Sequence, residues 1–420
     1  MCIRDSSHSA RPSSLTVSMT KTTRNIASVA EESFHRHYAA IWGERRWRES
    51  LYPALAEPTR YAALVNIYAR PADFWTCLEE AQISRNDLEQ LDFPRIDNAH
   101  DLSSERLSCY ARASGCPDET NKPQENTPEL PFPQPKASVT HPNRLMTHWN
   151  MDAASVLVAS LLDIQPSEVV LDLCAAPGGK SIALSQRMWP YHHVDDPQVR
   201  GHTLSQDSAR LVSNEADGRR QKRLAENLKA YLPPELFKQG YAQTTRIDAT
   251  RPAPALSSLS PPGGYDKVLV DAPCSSERHI IHAHLKARAS GNTAAEMTNW
   301  RPSSSKRLAK TQLELLLTAL KATKMGGKVV YATCSIETVE NDGVIEKMLS
   351  AVEKERKKGG KWSVKLGFGD GAGSERLEAR LEEWAERTQY GWIVLPDHPG
   401  GGRWGPLFFT LVCKVPAVMT

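Results

Sequence analysis

The sequence predicts an α/β fold built on a mostly parallel sheet and preceded by a helical N-terminal region, and three observations carry that expectation. Apolar runs of strand length, Val169–Leu173, Lys267–Val270 and Lys328–Ala332, recur through the later part of the chain. Helical patterns separate them; Leu313, Leu316, Leu317 and Leu320 make one apolar face just ahead of the third run. Such alternation implies parallel pairing with helices on both sheet faces. Each unusual motif also follows one of these runs directly, at the carboxyl end of a strand, where sheets of this kind bind ligands.

The elements follow in order. Residues 1–30 carry Arg4, Arg11, Lys21 and Arg24 against the single acid Asp5, among many serines and threonines. This composition fits an organellar transit peptide or a disordered tail. Residues 31–115 mix Phe34, Tyr38, Ile41, Trp42, Trp47, Leu51 and Leu55 with charge, which reads as short helices. Residues 116–143 hold seven prolines among Glu, Asn, Gln and Thr, the composition of a linker or exposed extended loop. Residues 144–420 are the expected catalytic domain, opening with a helix whose face is Ala154, Leu157, Val158 and Leu161. Glu353–Gly373, rich in glycine and lysine, reads as a surface insertion, and Tyr390–Leu395 with Leu407–Val412 as a closing pair of strands.

Composition narrows the function. Lysine and arginine total 52 against 49 acidic residues, which excludes a wholly basic polymer binder and makes any nucleic-acid surface local. The eight cysteines (2, 77, 109, 116, 174, 274, 334, 413) form no CxxC pair and no dense framework, so reduced thiols in an intracellular compartment are expected, with no metal site. No apolar run reaches the roughly 18 residues that suggest a membrane-spanning helix, and a soluble protein is expected.

Three motifs carry chemistry. The strand ending at Leu173 runs at once into Cys174-Ala175-Ala176-Pro177-Gly178-Gly179-Lys180, a small-residue turn that lets backbone approach a ligand and presents free N–H groups at a helix start. A nucleotide-like cofactor suits it; the GxGxxG spacing of nicotinamide sites is absent. Glu215, after Leu211 and Val212, is the candidate acceptor for ribose hydroxyls, and Asp248 a candidate for the adenine edge or else a helix cap. Two thiols then end neighbouring strands, in Asp271-Ala272-Pro273-Cys274 and Thr333-Cys334-Ser335. A single buried cysteine is usually an apolar filler. Two at strand ends, beside a cofactor loop and an aspartate, suit methylation at C5 of cytosine. A thiolate adds at C6 to make C5 nucleophilic, an acid near N3 stabilises the adduct, and a base removes the C5 proton for release.

With Met151-Asp152-Ala153-Ala154-Ser155, these motifs in this order resemble the NOL/NOP/Sun family of RNA cytosine-5 methyltransferases, over about Met151 to Val415. The resemblance implies a Rossmann-like, class I fold with a mostly parallel seven-stranded sheet, and S-adenosylmethionine as cofactor, contacted by residues 174–180, Glu215, Asp248 and Asp271. It makes Cys334 the nucleophile and Cys274 the residue that assists release; Asp271 is the third catalytic candidate by its place beside Cys274, suited to the acid's task near N3. DNA cytosine-5 methyltransferases place the nucleophile in the PC motif instead, so Cys334 argues for RNA. Tyr61-Ala62-Ala63-Leu64-Val65-Asn66, Trp392 and Trp404-Gly405-Pro406-Leu407 resemble the mitochondrial small-subunit rRNA branch, which implies a mitochondrial matrix address (cytoplasm or nucleus otherwise) and a protein partner. The long segment Arg187–Ser208 departs from the family pattern.

Between His279 and Lys310 stand Lys286, Arg288, Arg301, Lys306, Arg307 and Lys310 against one acid, Glu296, close after Cys274. Together with Lys180 they are a candidate RNA rim, the alternative being a solvated loop and helix. The target cytosine must be unpaired, because pairing hides C5 and C6. Mitochondrial tRNA as substrate, and a ribosome-assembly role in which methylation is dispensable, are the competing readings.

Overall fold

The computed structural model describes residues 21–95, 107–113, 132–139, 142–190 and 209–417. Most of the expected transit peptide, most of the proline-rich stretch and most of the unusual 187–208 segment lie outside them. Helix α1 (Lys21–Trp42) comes first, and short helical turns follow it to Ala56. Strand β1 (Ala62–Val65), helix α2 (Pro71–Glu80) and strands β2 (Leu88–Gln90), β3 (Cys109–Arg112) and β4 (His148–Met151) come next. The four strands form an antiparallel sheet in the order β2-β3-β1-β4. Residues 62–65, 88–90 and 109–112 are therefore strands, not the short helices expected across 31–115. β1 is buried on both sides, so its run Ala-Ala-Leu-Val has no two-residue alternation to betray it. Residues 132–139 are not an exposed linker either: Phe132 is buried beside Phe74, and the Pro133 carbonyl accepts from Asn150 Nδ2 (2.9 Å).

The second sheet holds β5 (Val169–Asp172), β6 (Arg210–Asn214), β7 (Ala242–Thr245), β8 (Tyr265–Asp271), β9 (Thr323–Thr333), β10 (Trp362–Leu366), β11 (Glu386–Arg387), β12 (Trp392–Val394) and β13 (Leu407–Pro416). Its order is β11-β12-β13-β9-β8-β5-β6-β7, with β10 also on β13. Among the described residues, nine strands stand in this sheet where seven were expected. β10 and β12 share one edge of β13, pairing with residues 412–416 and 407–409 respectively, and β11 extends the edge. The 353–373 stretch is thus no insertion, because Trp362–Leu366 is a sheet member whose alternation is hidden between glycine and lysine clusters. The pairs among β5 to β9 are parallel, and β13 closes the sheet antiparallel to β9.

Between these strands lie α3 (Ala153–Ser160), α4 (Gly179–Met188), α5 (Gly218–Tyr231), α6 (Glu277–Ala289), α7 (Pro302–Ala322), α8 (Asp342–Lys357) and α9 (Ala372–Leu381). Asp152 starts α3, its Oδ1 accepting from Ala154 N (2.8 Å), and Pro302 starts α7 where a missing N–H costs nothing. Alternate strand residues feed two cores. Val170, Leu269 and Val330 face α3 and α4, while Leu171, Val268, Val270 and Tyr331 face α7, α8 and α1. Each such fully buried aliphatic contributes about 1.5–3 kcal/mol. The chain leaves β5 outward to β6 and β7, then returns to β8 on its other side, so the strand order reverses between β5 and β8. That reversal opens a crevice at the strands' carboxyl ends.

Candidate active site

The 174–180 candidates sit in one loop and the first turn of α4, at the β5 side of the crevice. Protein contacts hold the loop: Ala175 N donates to the Asn214 carbonyl (2.8 Å), Arg220 Nη2 to the Ala176 carbonyl (3.0 Å) and Asn227 Nδ2 to the Pro177 carbonyl (2.8 Å). Gly178 has φ +121°, which disfavours any side chain, and a Cβ on Gly179 would fall 2.5 Å from Trp149 Nε1. At Gly179, protein packing explains the need for glycine. Asn214 ties the ends of three strands together, donating to the Leu173 and Ile247 carbonyls (3.0 and 2.9 Å) and accepting from Ile247 N and Thr245 Oγ1 (both 2.9 Å). Beneath the loop, burial pushes the Asp172 carboxyl up to about 7; its Oδ2 accepts from Ser181 Oγ (2.6 Å).

Glu215 follows β6, buried, with Oε1 accepting from Asp217 N (3.0 Å). Its Oε2 has no hydrogen-bond donor among the described residues, although Arg220 Nη2 stands 3.3 Å away. A buried, under-donated carboxylate beside a small-residue loop fits a ribose diol. Asp248 lies three residues beyond the end of β7, not at it, is exposed, and accepts from Thr250 N (3.0 Å) and Oγ1 (2.6 Å).

On the β8 side, the two thiols meet. Cys274 Sγ and Cys334 Sγ are 3.1 Å apart, although 60 residues separate them. Adjacent parallel strands place them, with Asp271 in register with Ala332. The shared hydrogen from Cys274 draws the Cys334 thiol below its ordinary value against the opposing effect of burial, and Ser276 Oγ, 3.3 Å from Cys334 Sγ, can donate to the thiolate. Cys274, as the donor and buried, is pushed well up. Asp271 Oδ2 accepts from Lys180 Nζ (2.7 Å), which also donates to Ser155 Oγ (2.9 Å). Burial works against the Lys180 ammonium, and the Asp271 carboxylate outweighs it, so lysine is held in its charged form. Cys174 is different: burial, then Asp172, Asp271 and Glu215, push its thiol well up.

This arrangement offers a thiol held below its ordinary value, a second thiol held above it and an ion-paired carboxylate at one strand-end crevice. A family model described as 16S rRNA methyltransferase RsmB/F matches residues 159–381, more than half of the chain. The chain belongs to this family. It is an S-adenosylmethionine-dependent RNA (cytosine-5) methyltransferase of the NOL/NOP/Sun group. Over 94% of its length it is 28% identical to a zebrafish (Danio rerio) protein named tRNA (cytosine(34)-C(5))-methyltransferase, mitochondrial, of which 90% is covered. Over 92% it is 26% identical to mouse (Mus musculus) 5-cytosine rRNA methyltransferase NSUN4, with 89% of that protein covered. The solved structure of NSun6 from Pyrococcus horikoshii, 15% identical, superposes with a TM-score of 0.52 over 91% of this chain and 97% of that one, a likeness of fold.

For a member of the RsmB/F family, the other candidates distribute as follows. Lys180 lies inside the crevice on Asp271 and not on the outer rim. Lys306, Arg307 and Lys310 are exposed on α7, whose buried Gln312 donates from Nε2 to the Pro273 carbonyl beside Cys274 (2.9 Å). Arg301, exposed at the start of α7, turns Nη1 onto the Thr298 and Trp300 carbonyls (2.9 and 2.6 Å). Sequence reasoning gave no role to Asn214, Ser155, Ser276 or Glu277. The signal available for the last group was the Cys-Ser pair repeated at 274–275 and 334–335.

Proposed function

We propose that the protein methylates C5 of an unpaired cytosine in mitochondrial small-subunit ribosomal RNA, with Cys334 as nucleophile and Cys274 as the residue that frees the product. The 3.1 Å approach of a low Cys334 thiol to a raised Cys274 thiol carries this reading. The Cys334 thiolate adds to C6, and electron density moves to C5. Asp271, relaying a proton from the Lys180 ammonium paired with it, protonates N3 as C6 is attacked and so neutralises the adduct. When bound, S-adenosylmethionine would supply the methyl group, and Glu215 would hold its ribose, Asp248 its adenine edge and residues 174–180 the rest of it. With Cys334 tied up as the C6 thioether, the contact that raises Cys274 most is gone; Cys274 gives its proton to solvent and, as thiolate, takes the C5 proton, the C5–C6 double bond reforms and the Cys334–C6 bond breaks. Arg301, Lys306, Arg307 and Lys310 hold phosphates beside the crevice. Residues 144–420 act as the catalytic domain and the preceding region as its support.

The mitochondrial matrix assignment draws on the basic, hydroxyl-rich residues 1–30 and on the names of the zebrafish and mouse relatives. A protein partner is expected to guide the RNA. The test uses separate Cys334→Ala and Cys274→Ala proteins. The first is expected to lose methylation and adduct together, and the second to accumulate a covalent protein–RNA adduct on denaturing gels. Adduct surviving in Cys334→Ala would falsify the assignment. The zebrafish relative favours a second reading, mitochondrial tRNA as substrate; bisulfite sequencing of mitochondrial RNA from cells lacking the protein separates the two by which RNA loses 5-methylcytosine.

A further inference from the structure

Both thiols are followed by a serine, and these two serines meet. Ser275 Oγ and Ser335 Oγ are 2.9 Å apart, and both donate to the same oxygen, Glu277 Oε1, Ser335 from 3.2 Å. The second oxygen of Glu277 accepts from Ile336 N (3.0 Å), on the Cys334 loop. Oε1 also accepts from Tyr38 OH of α1 (2.9 Å). Glu277 is completely buried, yet all its donors are neutral, and no Lys or Arg pairs with it among the described residues. A carboxylate taken out of water at this cost, and satisfied by four donors from three segments, is retained for the geometry it imposes. Between Ser275 and Glu277 the backbone of Ser276 adopts φ +54°, a conformation that costs a non-glycine residue about 1 kcal/mol or more. That turn sends Ser275 and Glu277 inward while Ser276 Oγ reaches Cys334.

We propose that Glu277 is a positioning residue for the reaction: through Ser275 it fixes the loop of Cys274, and through Ser335 and Ile336 N the loop of Cys334, so that the two thiols stand at reacting distance. Glu277, with no surface exposed, acts through these two loops and not on the reacting atoms itself. Around it lie Glu340, whose Oε2 accepts from Ser275 N (3.1 Å) and Gln312 Nε2 (2.8 Å), and Glu337, which accepts from His37 of α1 (2.6 Å). The two serines divide the clamp by loop, so removing each should slow a different half of the reaction. Packing damage would slow neither selectively.

The inference rests on attack by Cys334 and release by Cys274. The experiment measures both half-reactions in the full-length protein with RNA and S-adenosylmethionine: the rate of adduct formation, and the rate of adduct decay to methylated product. Ser335→Ala is expected to slow adduct formation about tenfold and leave decay within twofold. Ser275→Ala is expected to slow decay about tenfold, with adduct accumulating. Glu277→Gln is expected to slow both, with the S-adenosylmethionine dissociation constant within twofold of wild type. If Glu277→Gln does not fold, the serine variants decide alone. Equal effects of the two serines on both steps, or wild-type rates in both, overturn the clamp. If Cys334→Ala and Cys274→Ala behave as expected while the serine variants do not, the clamp fails and the thiol roles stand. If Cys334→Ala still forms adduct, the thiol roles fail first.

Discussion

The two sides of the crevice are built by different means. On the cofactor side, consecutive residues 174–180 form the loop, and nearby strand ends hold it through Asn214, Asn227 and Arg220. On the thiol side no stretch suffices: Cys274 and Cys334 meet across 60 residues, Glu277 reaches Tyr38 across 239, and Glu337 reaches His37 across 300. The cofactor side tolerates its own hydrogen-bonding backbone as the ligand surface. The thiol side needs two side chains within one van der Waals contact, and buried carboxylates from remote segments supply that accuracy. Binding and chemistry should therefore respond separately to substitution.

Asp271 tests the division most severely, because it serves both sides as a candidate. Asp271→Asn is expected to lower kcat for methylation by about 10²–10⁴-fold, with the S-adenosylmethionine dissociation constant, read by calorimetry, within threefold. A matching loss of cofactor affinity would move Asp271 to the other side. Asn214→Ala should leave the Leu173 and Ile247 backbone groups unpaired, costing about 1–3 kcal/mol in denaturant unfolding, with S-adenosylmethionine affinity falling and adduct chemistry at saturation retained. Glu215→Ala should weaken S-adenosylmethionine about tenfold, near 1.4 kcal/mol, and leave saturated turnover close to wild type; an unchanged dissociation constant would remove Glu215 from the ribose. The smallest effect is on a pH profile. Cys334 is held low by Cys274, so adduct formation falls as pH drops through the Cys334 value. In Cys274→Ala that donor is gone, and the acid limb should move to higher pH. A limb that stays in place would show that Cys274 does not tune its neighbour.

The same contrast governs how much was legible in the sequence. The strands at 169, 267 and 328 and the cofactor loop could be read because local pattern and turn chemistry coincide there. β1 and β10 could not: one is buried on both faces, and the other alternates over only five residues inside a glycine- and lysine-rich setting. The pair Cys274 and Cys334 was visible as two strand-end thiols, but their separation depends on β8 and β9 being neighbours. Glu277 stands in the first turn of α6, a position that favours carboxylates through the helix dipole alone, so nothing in its local sequence marks it. Only the tertiary arrangement, with Tyr38 and both serines converging, distinguishes it.

Helix α1 has a consequence for how the enzyme is made. Its Tyr38, His37 and Trp42 dock on Glu277, Glu337 and the Ile336 carbonyl, and Phe34 and Tyr38 pack against Trp300. Synthesis runs from the amino end, so this helix leaves the ribosome long before any surface exists to receive it. β9, which carries Thr333 ahead of Cys334, gains its second sheet neighbour only when β13 has been made. Until residue 337 has been made, α1 lacks part of the surface it docks on, and until β13 has been made the strand that leads to Cys334 lacks one of its two neighbours.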